Sequence, residues 1–148
     1  MFDLLDELGI PASHNVNTAV LDYCPQIAGR IRARGDEVVG HGRTNAERQD
    51  ILPEAEEARL IADTTEGIVR HFGAPPKGWL GPYLAQSPVT LDLLKEAGYS
   101  YVMDWPADDQ PFWMRTRGGR SCRCPTRSRS TTRRRWCSAS TRPASSRR

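Results

Sequence analysis

Apolar residues at positions 1–114 follow helical and strand-like periods in alternation, whereas positions 115–148 show no hydrophobic period. The helical spacing predicts helices over residues 2–8, 23–34, 53–72 and from 87 or 90 to 97. Apolar runs predict strands over residues 10–17, 37–40, 79–80 and 99–105. Units of this length imply a parallel sheet covered by helices, because parallel strands need long crossover connections. The pattern therefore predicts an α/β fold.

Two of these helices also carry a predicted inward face. In residues 23–34, Ile27 and Ile31 are expected to face the core, with Arg34 in water. In residues 53–72, the expected buried stripe consists of Ala58, Ile61, Thr65, Ile68, Val69 and Phe72.

The strongest candidate site is the sequence Gly-His-Gly at residues 40–42. A short apolar run ends there, and polar residues without a hydrophobic period follow as far as Gln49. This composition is typical of a buried strand that runs into a functional loop. The imidazole of His41 can ligate a metal or move a proton near neutral pH. A lone histidine at a strand end more often only bonds a backbone carbonyl, but the flanking glycines and polar cluster favour a site.

Carboxylates and aromatic residues follow the last predicted strand. Asp104, Trp105 and Asp108 lie in a segment that ends at Trp113. Such a composition at the carboxyl end of a strand is common in active sites of parallel α/β folds. The alternative is a loop anchored by its tryptophans, with its acids in solvent.

The charge divides the chain into two parts. Twelve of the 21 basic residues lie in residues 115–148, which contain no acidic residue, so residues 1–114 hold nine basic against 18 acidic residues, a net charge of −9. We therefore predict a domain over residues 1–114 and a disordered Arg/Ser-rich tail over residues 115–148.

The origin of this tail has three explanations. It could be a disordered basic tail, a nucleic-acid-binding arm, or out-of-frame translation, which we favour. One permitted codon set for residues 120–124, read in a shifted frame, gives Ile-Leu-Ser-Val, as a continuing strand would. Nucleic-acid binding is therefore expected only non-specifically through the tail, and a non-enzymatic nucleic-acid-binding protein is the alternative of another functional class.

Other sequence features bear on the compartment. The N-terminus has no basic segment before an apolar run, and no stretch is long enough to span a membrane. The four cysteines form neither a zinc pattern nor an evident disulfide framework. We predict a cytoplasmic protein without a membrane partner, and the sequence does not predict its oligomeric state.

Three segments together resemble a known family. They are LLDELGIPAS (residues 4–13), RGDEVVGHG (residues 34–42) and TLDLLKEAGYSYVMDW (residues 90–105). In this order and spacing they resemble the polysaccharide deacetylase superfamily, the NodB-homology domain, over residues 3–113. The resemblance implies a partial distorted (β/α) barrel and hydrolysis of non-peptide carbon–nitrogen bonds. It also implies, in metal-dependent members, a divalent cation such as zinc that activates water for removal of N-acetyl groups from amino sugars.

Family motifs match this sequence only in part. His41 matches the first histidine of His-Ser/Thr-x-x-His, with Asn45 at the second position. Residues 80–83 match Arg-x-Pro-Tyr except at the arginine, which is Leu80 here. Residues 104–105 and 108–109 resemble the acidic fourth region. Neither the early Thr-Phe-Asp-Asp-Gly motif nor the final histidine motif has a counterpart in this chain.

Gly-His-Gly followed by a polar loop, and the segment Asp-Asp-x-Pro-aromatic-Trp at residues 108–113, resemble the allantoinase-like branch. Its members act on a cyclic ureide or a related small amide, and some are metal-independent. The resemblance implies a site with the following residues: His41, Asp104 and Asp108 as catalytic candidates, His41 as the metal candidate, and Asn45, Tyr83 and Trp105 for substrate contact. The expected partner is a small-molecule or amino-sugar substrate, and the 148-residue chain is expected to be inactive by itself.

Overall fold

The computed structural model describes residues 1–105, 107 and 110–124. Its centre is a six-stranded sheet of order β1-β2-β3-β4-β6-β5. All neighbouring strands are parallel except β5 and β6, which are antiparallel. The strands are β1 Ser13–Val16, β2 Glu37–Gly40, β3 Gly78–Trp79, β4 Tyr101–Val102, β5 Phe112–Thr116 and β6 Gly119–Arg123. The predicted α/β class with a mainly parallel sheet is confirmed.

The helices pack on one face of the sheet; the first precedes β1 in the chain and the others lie between strands. They are α1 Phe2–Glu7, α2 Thr18–Tyr23, α3 Pro25–Arg34, α4 Glu54–Phe72 and α5 Thr90–Glu96. Trp79 and Val102 contribute strand side chains to the core beneath α4 and α5. On the other face, Tyr101, Met103 and Cys122 belong to a second buried cluster that contains only strand and strand-end residues. No helix among the described residues is long and apolar enough to cross a membrane.

The predicted helix over residues 23–34 corresponds to α3, which begins two residues later at Pro25, whereas α2 over Thr18–Tyr23 was not predicted. α2 ends at Tyr23 and α3 begins at Pro25, with Cys24 in a non-helical conformation between them. The cause is local, because a proline disfavours helical dihedrals in the residue before it and is favoured in the first turn of a helix. Ile31 is buried as predicted.

Arg34 is not in water, which corrects the sequence-based expectation. Its side chain is 9% exposed and its Nε donates to Asp36 Oδ2 at 2.6 Å. Asp36 also accepts from the backbone N–H of Ala12 at 3.0 Å and contacts His14 Nε2 at 2.9 Å. Burial would raise the pKa of Asp36, but these hydrogen bonds and the Arg34 charge hold it well below its usual range. This ion pair fixes the start of β1 against the end of α3.

The buried face of α4 is rotated from the predicted stripe. Ile61 and Ile68 are buried as expected, but Val69 is 38% exposed. Gly67 is buried instead, and a Cβ at this position would lie 2.8 Å from Thr18 Cγ2. The glycine thus allows α4 to approach α2 closely, which shifts the contact face away from the purely apolar positions.

The predicted onset of disorder at residue 115 is wrong for residues 115–124. The proposed boundary after residue 114 falls inside β5, and β6 pairs with β4 through residues 122–123. Few aliphatic side chains are needed here because strand pairing uses backbone hydrogen bonds, and Cys122 and Cys124 supply buried side chains. The rest of the predicted tail, residues 125–148, lies outside the described residues, and its origin by out-of-frame translation stays a hypothesis.

Candidate active site

The carboxyl ends of three adjacent strands converge on one group of polar residues. His41 follows β2, Leu80 and Gly81 follow β3, and Asp104 follows β4. The parallel order β2-β3-β4 places these ends at the same edge of the sheet. Loops at this edge commonly carry function in parallel α/β folds. The structure therefore brings together two residues, His41 and Asp104, that lie 63 positions apart in sequence.

His41 is held by hydrogen bonds from several directions. Its backbone N–H donates to Val16 O at 3.2 Å, and its carbonyl accepts from Asn17 Nδ2 at 2.6 Å. Its ring Nδ1 is hydrogen-bonded to the carbonyl oxygen of Leu80. A carbonyl can only accept, so Nδ1 carries the proton and Nε2 is left as the basic nitrogen. The bond to a backbone carbonyl that is common for a lone strand-end histidine is thus present, and the catalytic or metal-binding role of His41 stays a prediction.

Asp104 is a buried carboxyl group behind this edge. It is 1% exposed, its Oδ1 accepts from Gly81 N–H at 2.6 Å, and its Oδ2 accepts from Gln86 Nε2 at 2.6 Å. Burial raises the pKa of Asp104 to about 6, while the two hydrogen bonds and the charge of His41 act in the opposite direction. Both carboxylate oxygens are therefore engaged with the protein itself.

A polar network that sequence analysis missed lies behind the site. Gln49 is fully buried, accepts from Trp79 Nε1 at 3.1 Å and donates to Glu57 Oε1 at 3.1 Å. Glu57 is also fully buried and accepts from Ser87 Oγ at 2.5 Å. A signal for Glu57 was present, because it precedes Leu60, Ile61 and Thr64 at helical spacing and so shares their buried face. No comparable local signal marks Gln49, whose partner Trp79 is 30 residues away.

The turn after β3 has an unusual backbone. Tyr83 and Leu84 have φ angles of 60° and 56°, in the left-handed region that favours glycine. Hydrogen bonds from Leu84 N to Gly81 O and from Ala85 N to Pro82 O, both 3.1 Å, hold this turn. Tyr83 is 73% exposed as a result. Strained residues of this kind are concentrated at functional sites, and here the strain presents the Tyr83 ring to solvent.

Other predicted site residues are less closely associated with this edge. Asn45 is exposed in the turn that follows His41, and Trp105 is 45% exposed directly after Asp104. Asp108 lies outside the described residues. The predicted roles of all six candidate residues, in catalysis, metal binding or substrate contact, remain predictions.

A divalent metal such as zinc does not fit the donors that the described residues provide. Zinc sites use three or four strong ligands, and the described part of the chain contains no group of three or more His, Cys, Asp and Glu side chains suited to a metal ion. His41 offers only Nε2, and the matching motif position holds Asn45, whose amide oxygen is a weaker ligand than imidazole for such metals.

We therefore predict that this chain binds zinc only weakly. Isothermal titration calorimetry of the purified protein with zinc should show no tight stoichiometric binding event that depends on His41. The control is His71→Ala, which removes a histidine that contacts Asp22 on the helical side. Tight one-to-one binding that His41→Ala abolishes and His71→Ala preserves would contradict this prediction.

Solved structures of several proteins share this fold. A Mycobacterium smegmatis protein classed as a polysaccharide deacetylase gives a TM-score of 0.80 at 23% identity, covering 85% of this chain and 44% of its own. The allantoinase PuuE gives 0.74 at 23% identity, covering 83% and 41%. A Pseudomonas aeruginosa PAO1 protein, also classed as a polysaccharide deacetylase, gives 0.73 at 22% identity, covering 83% and 41%. These likenesses confirm the predicted partial distorted barrel.

The chain spans less than half the length of these solved relatives. Curated protein sequences give no match. The sequence profile of the polysaccharide deacetylase family, by contrast, matches residues 1–102, which is more than half of the 148-residue chain. With the order of its strands and the segments that suggested the resemblance, this match shows that the chain belongs to the polysaccharide deacetylase family.

Proposed function

We propose that this chain forms part of the active site of a hydrolase that cleaves non-peptide carbon–nitrogen bonds of amides. The observation that carries the proposal is the hydrogen bond between His41 Nδ1 and Leu80 O, which leaves Nε2 as the basic nitrogen. An imidazole with one fixed nitrogen and one available nitrogen is the usual form of an acid–base group. In this proposal, Nε2 of His41 exchanges a proton with the attacking water or the leaving amine.

The substrate class that we favour is a small cyclic ureide or related amide. Two sequence departures support it, namely Asn45 in place of the second motif histidine and Leu80 in place of the motif arginine. Both replace a charged or metal-ligating side chain by a neutral one, which suits an uncharged amide substrate. The exposed rings of Tyr83 and Trp105 are the proposed substrate contacts. An N-acetylated amino sugar is the competing substrate class.

A binding experiment tests this proposal without requiring turnover. The ring resonances of His41 and Tyr83 are followed by NMR while allantoin, as the ureide probe, or an N-acetylglucosamine oligomer is added. Allantoin should shift both sets of resonances, and Tyr83→Ala should reduce the shifts at His41. The matched control is Tyr23→Ala, which removes an 87% exposed tyrosine on the helical side. Shifts caused by the sugar alone would favour an N-acetylated amino sugar over a ureide as the substrate. No shift at His41 with either probe would contradict the proposed function.

We also expect the 148-residue chain to have no measurable hydrolase activity. It contains no counterpart of the family's early acidic motif or of its final histidine motif, and loss of a general base or acid typically costs about 10²–10⁴-fold in rate. Assays follow the ring-opened carboxylic acid formed from allantoin and the acetate released from N-acetylglucosamine oligomers. Turnover by purified protein that His41→Ala abolishes would contradict this expectation.

A further inference from the structure

One peptide unit connects the imidazole of His41 with the buried carboxyl group of Asp104. The N–H of Gly81 donates to Asp104 Oδ1 at 2.6 Å, and the carbonyl of Leu80 accepts from His41 Nδ1. The N–H and the carbonyl belong to the same peptide bond, between Leu80 and Gly81. The carboxylate and the imidazole are therefore joined by a continuous chain of two hydrogen bonds through a planar amide.

In such an arrangement, the hydrogen bond at the peptide N–H changes the strength of the hydrogen bond at its carbonyl. A peptide whose N–H is bonded to an anion becomes more polarised, and its carbonyl oxygen becomes a stronger acceptor. The stronger acceptor favours the proton on His41 Nδ1 over the proton on Nε2. In enzymes and metal sites, a carboxylate commonly orients a histidine by direct contact with one ring nitrogen. Here the contact passes through the Leu80–Gly81 peptide.

We propose that Asp104 is a positioning residue that fixes the Nδ1–H tautomer and the orientation of His41 through the Leu80–Gly81 peptide. The importance of Nε2 for hydrolysis rests on the proposed function, whereas the tautomer itself does not. Asp104 does not act as the general base in this arrangement, because it is 1% exposed and both of its oxygens accept hydrogen bonds from the protein.

Surrounding contacts hold the peptide in this orientation. A Cβ on Gly81 would lie 2.6 Å from Gln49 Oε1 and 3.2 Å from Asp104 Oδ2, so only glycine fits between them. Leu80 N–H donates to Gly40 O at 3.0 Å, which fixes the preceding peptide unit, and with it the Cα of Leu80, against β2. Gln86 binds the second oxygen of Asp104 and stops the carboxylate from rotating away. The peptide therefore has little freedom to turn its carbonyl away from His41.

The test is a measurement of histidine tautomers in the full 148-residue chain. Two-bond ¹H–¹⁵N correlation spectra at alkaline pH, where imidazole is neutral, distinguish protonated from unprotonated ring nitrogens. Wild-type His41 should be mainly the Nδ1–H form. In Asp104→Asn, the neutral amide oxygen can still accept from Gly81, so the ratio of Nδ1–H to Nε2–H should fall by roughly two- to tenfold, the effect of weakening one hydrogen bond. Asp104→Ala should give the larger fall.

Internal controls separate this effect from a general loss of structure. His14 and His71 contact Asp36 and Asp22, away from this edge, so their nitrogen shifts should not change in either variant. Asp50→Asn removes an exposed carboxylate that pairs with Arg48 and should leave His41 as in the wild type. The Gly81 amide proton should move upfield in both Asp104 variants, which reports loss of the charged acceptor.

Two results would overturn the proposal. One is a wild-type His41 that is mainly the Nε2–H tautomer. The other is an unchanged His41 tautomer ratio in Asp104→Asn although the Gly81 amide proton has moved. If Asp104→Ala does not fold, Asp104→Asn alone decides between these outcomes. None of these readings depends on substrate binding or turnover, so failure of this proposal and failure of the proposed function are distinguishable.

Discussion

Gly78→Ala is expected to destabilise the fold by about 3 kcal/mol or more, as overpacking does where the neighbouring groups cannot move. A Cβ at this position in β3 would lie 2.1 Å from Cζ and 2.3 Å from Cε2 of Tyr101. The Tyr101 ring is 5% exposed, and its hydroxyl donates to Glu37 Oε1 at 2.9 Å, so the ring crosses β3 to reach β2. Moving away from the added methyl group would therefore cost the ring this hydrogen bond and part of its burial.

The measurement is the free energy of unfolding from urea denaturation. Gly29→Ala is the matched control, since a Cβ there meets nothing within 4 Å and the residue lies inside α3. That change should stabilise the protein by about 0.5–1 kcal/mol through helix propensity. A double variant, Gly78→Ala with Tyr101→Leu, should be less destabilised than the sum of the single changes, because the smaller side chain relieves the overlap. Additive effects, or a Gly78→Ala variant as stable as wild type, would show that the ring does not occupy this space.

Local signals were sufficient to predict β2 and the loop that begins at His41. Two β-branched residues followed by Gly-His-Gly predicted the bounds of β2 correctly, and the polar residues after it predicted a loop. The start of α3 after Cys24 also had a local cause in Pro25, whereas the short helix α2 before it was not predicted. Where the sequence pattern has one strong local determinant, it predicts the structure well.

Long-range contacts explain what the sequence did not reveal. Arg34 carries the charge expected of an exposed helix end, yet besides Asp36, two residues away, it contacts Asp6, 28 residues away. The bonds of Asp104 to Gly81 and Gln86 span 23 and 18 residues. The sequence indicates Asp104 as a candidate because it is a carboxylate at a strand end. It does not show that both of its oxygens accept hydrogen bonds from the protein. The distinction between a reacting and a positioning carboxylate depends on those tertiary contacts.

Composition led to a wrong prediction of disorder for the residues directly after 114. A stretch with many arginines and few aliphatic residues predicted disorder, because such a sequence buries little apolar area. The antiparallel pairing of β5 with β6 instead uses backbone groups, and the chain reverses between Thr116 and Gly119. Gly119 has a φ of 117°, a conformation that glycine adopts readily, so this turn had a local sequence signal in Gly118-Gly119.

The unfolding free energy of the wild-type protein should decrease relative to Asp104→Asn as the pH rises from 4 to 7. Burial raises the pKa of Asp104 from 3.8 to about 6, so between these values the folded protein binds more protons at this group than the unfolded chain does. Stability then falls with increasing pH in that window, and it levels off above the folded pKa. Since one pKa unit corresponds to roughly 1.4 kcal/mol, the difference should amount to about 3 kcal/mol.

Urea denaturation of both proteins at intervals between pH 4 and 7 measures this difference. Other titrating groups are common to both proteins and largely cancel in the comparison. Asp50→Asn is the control, because hydrogen bonding to Arg48 lowers the pKa of Asp50, which is therefore ionised throughout the upper part of this range in the folded protein. Its profile should run parallel to that of the wild type between pH 5 and 7. A constant difference between wild type and Asp104→Asn would mean that Asp104 titrates normally, and a difference that grows in favour of wild type as the pH rises would mean that the folded protein stabilises its charged form.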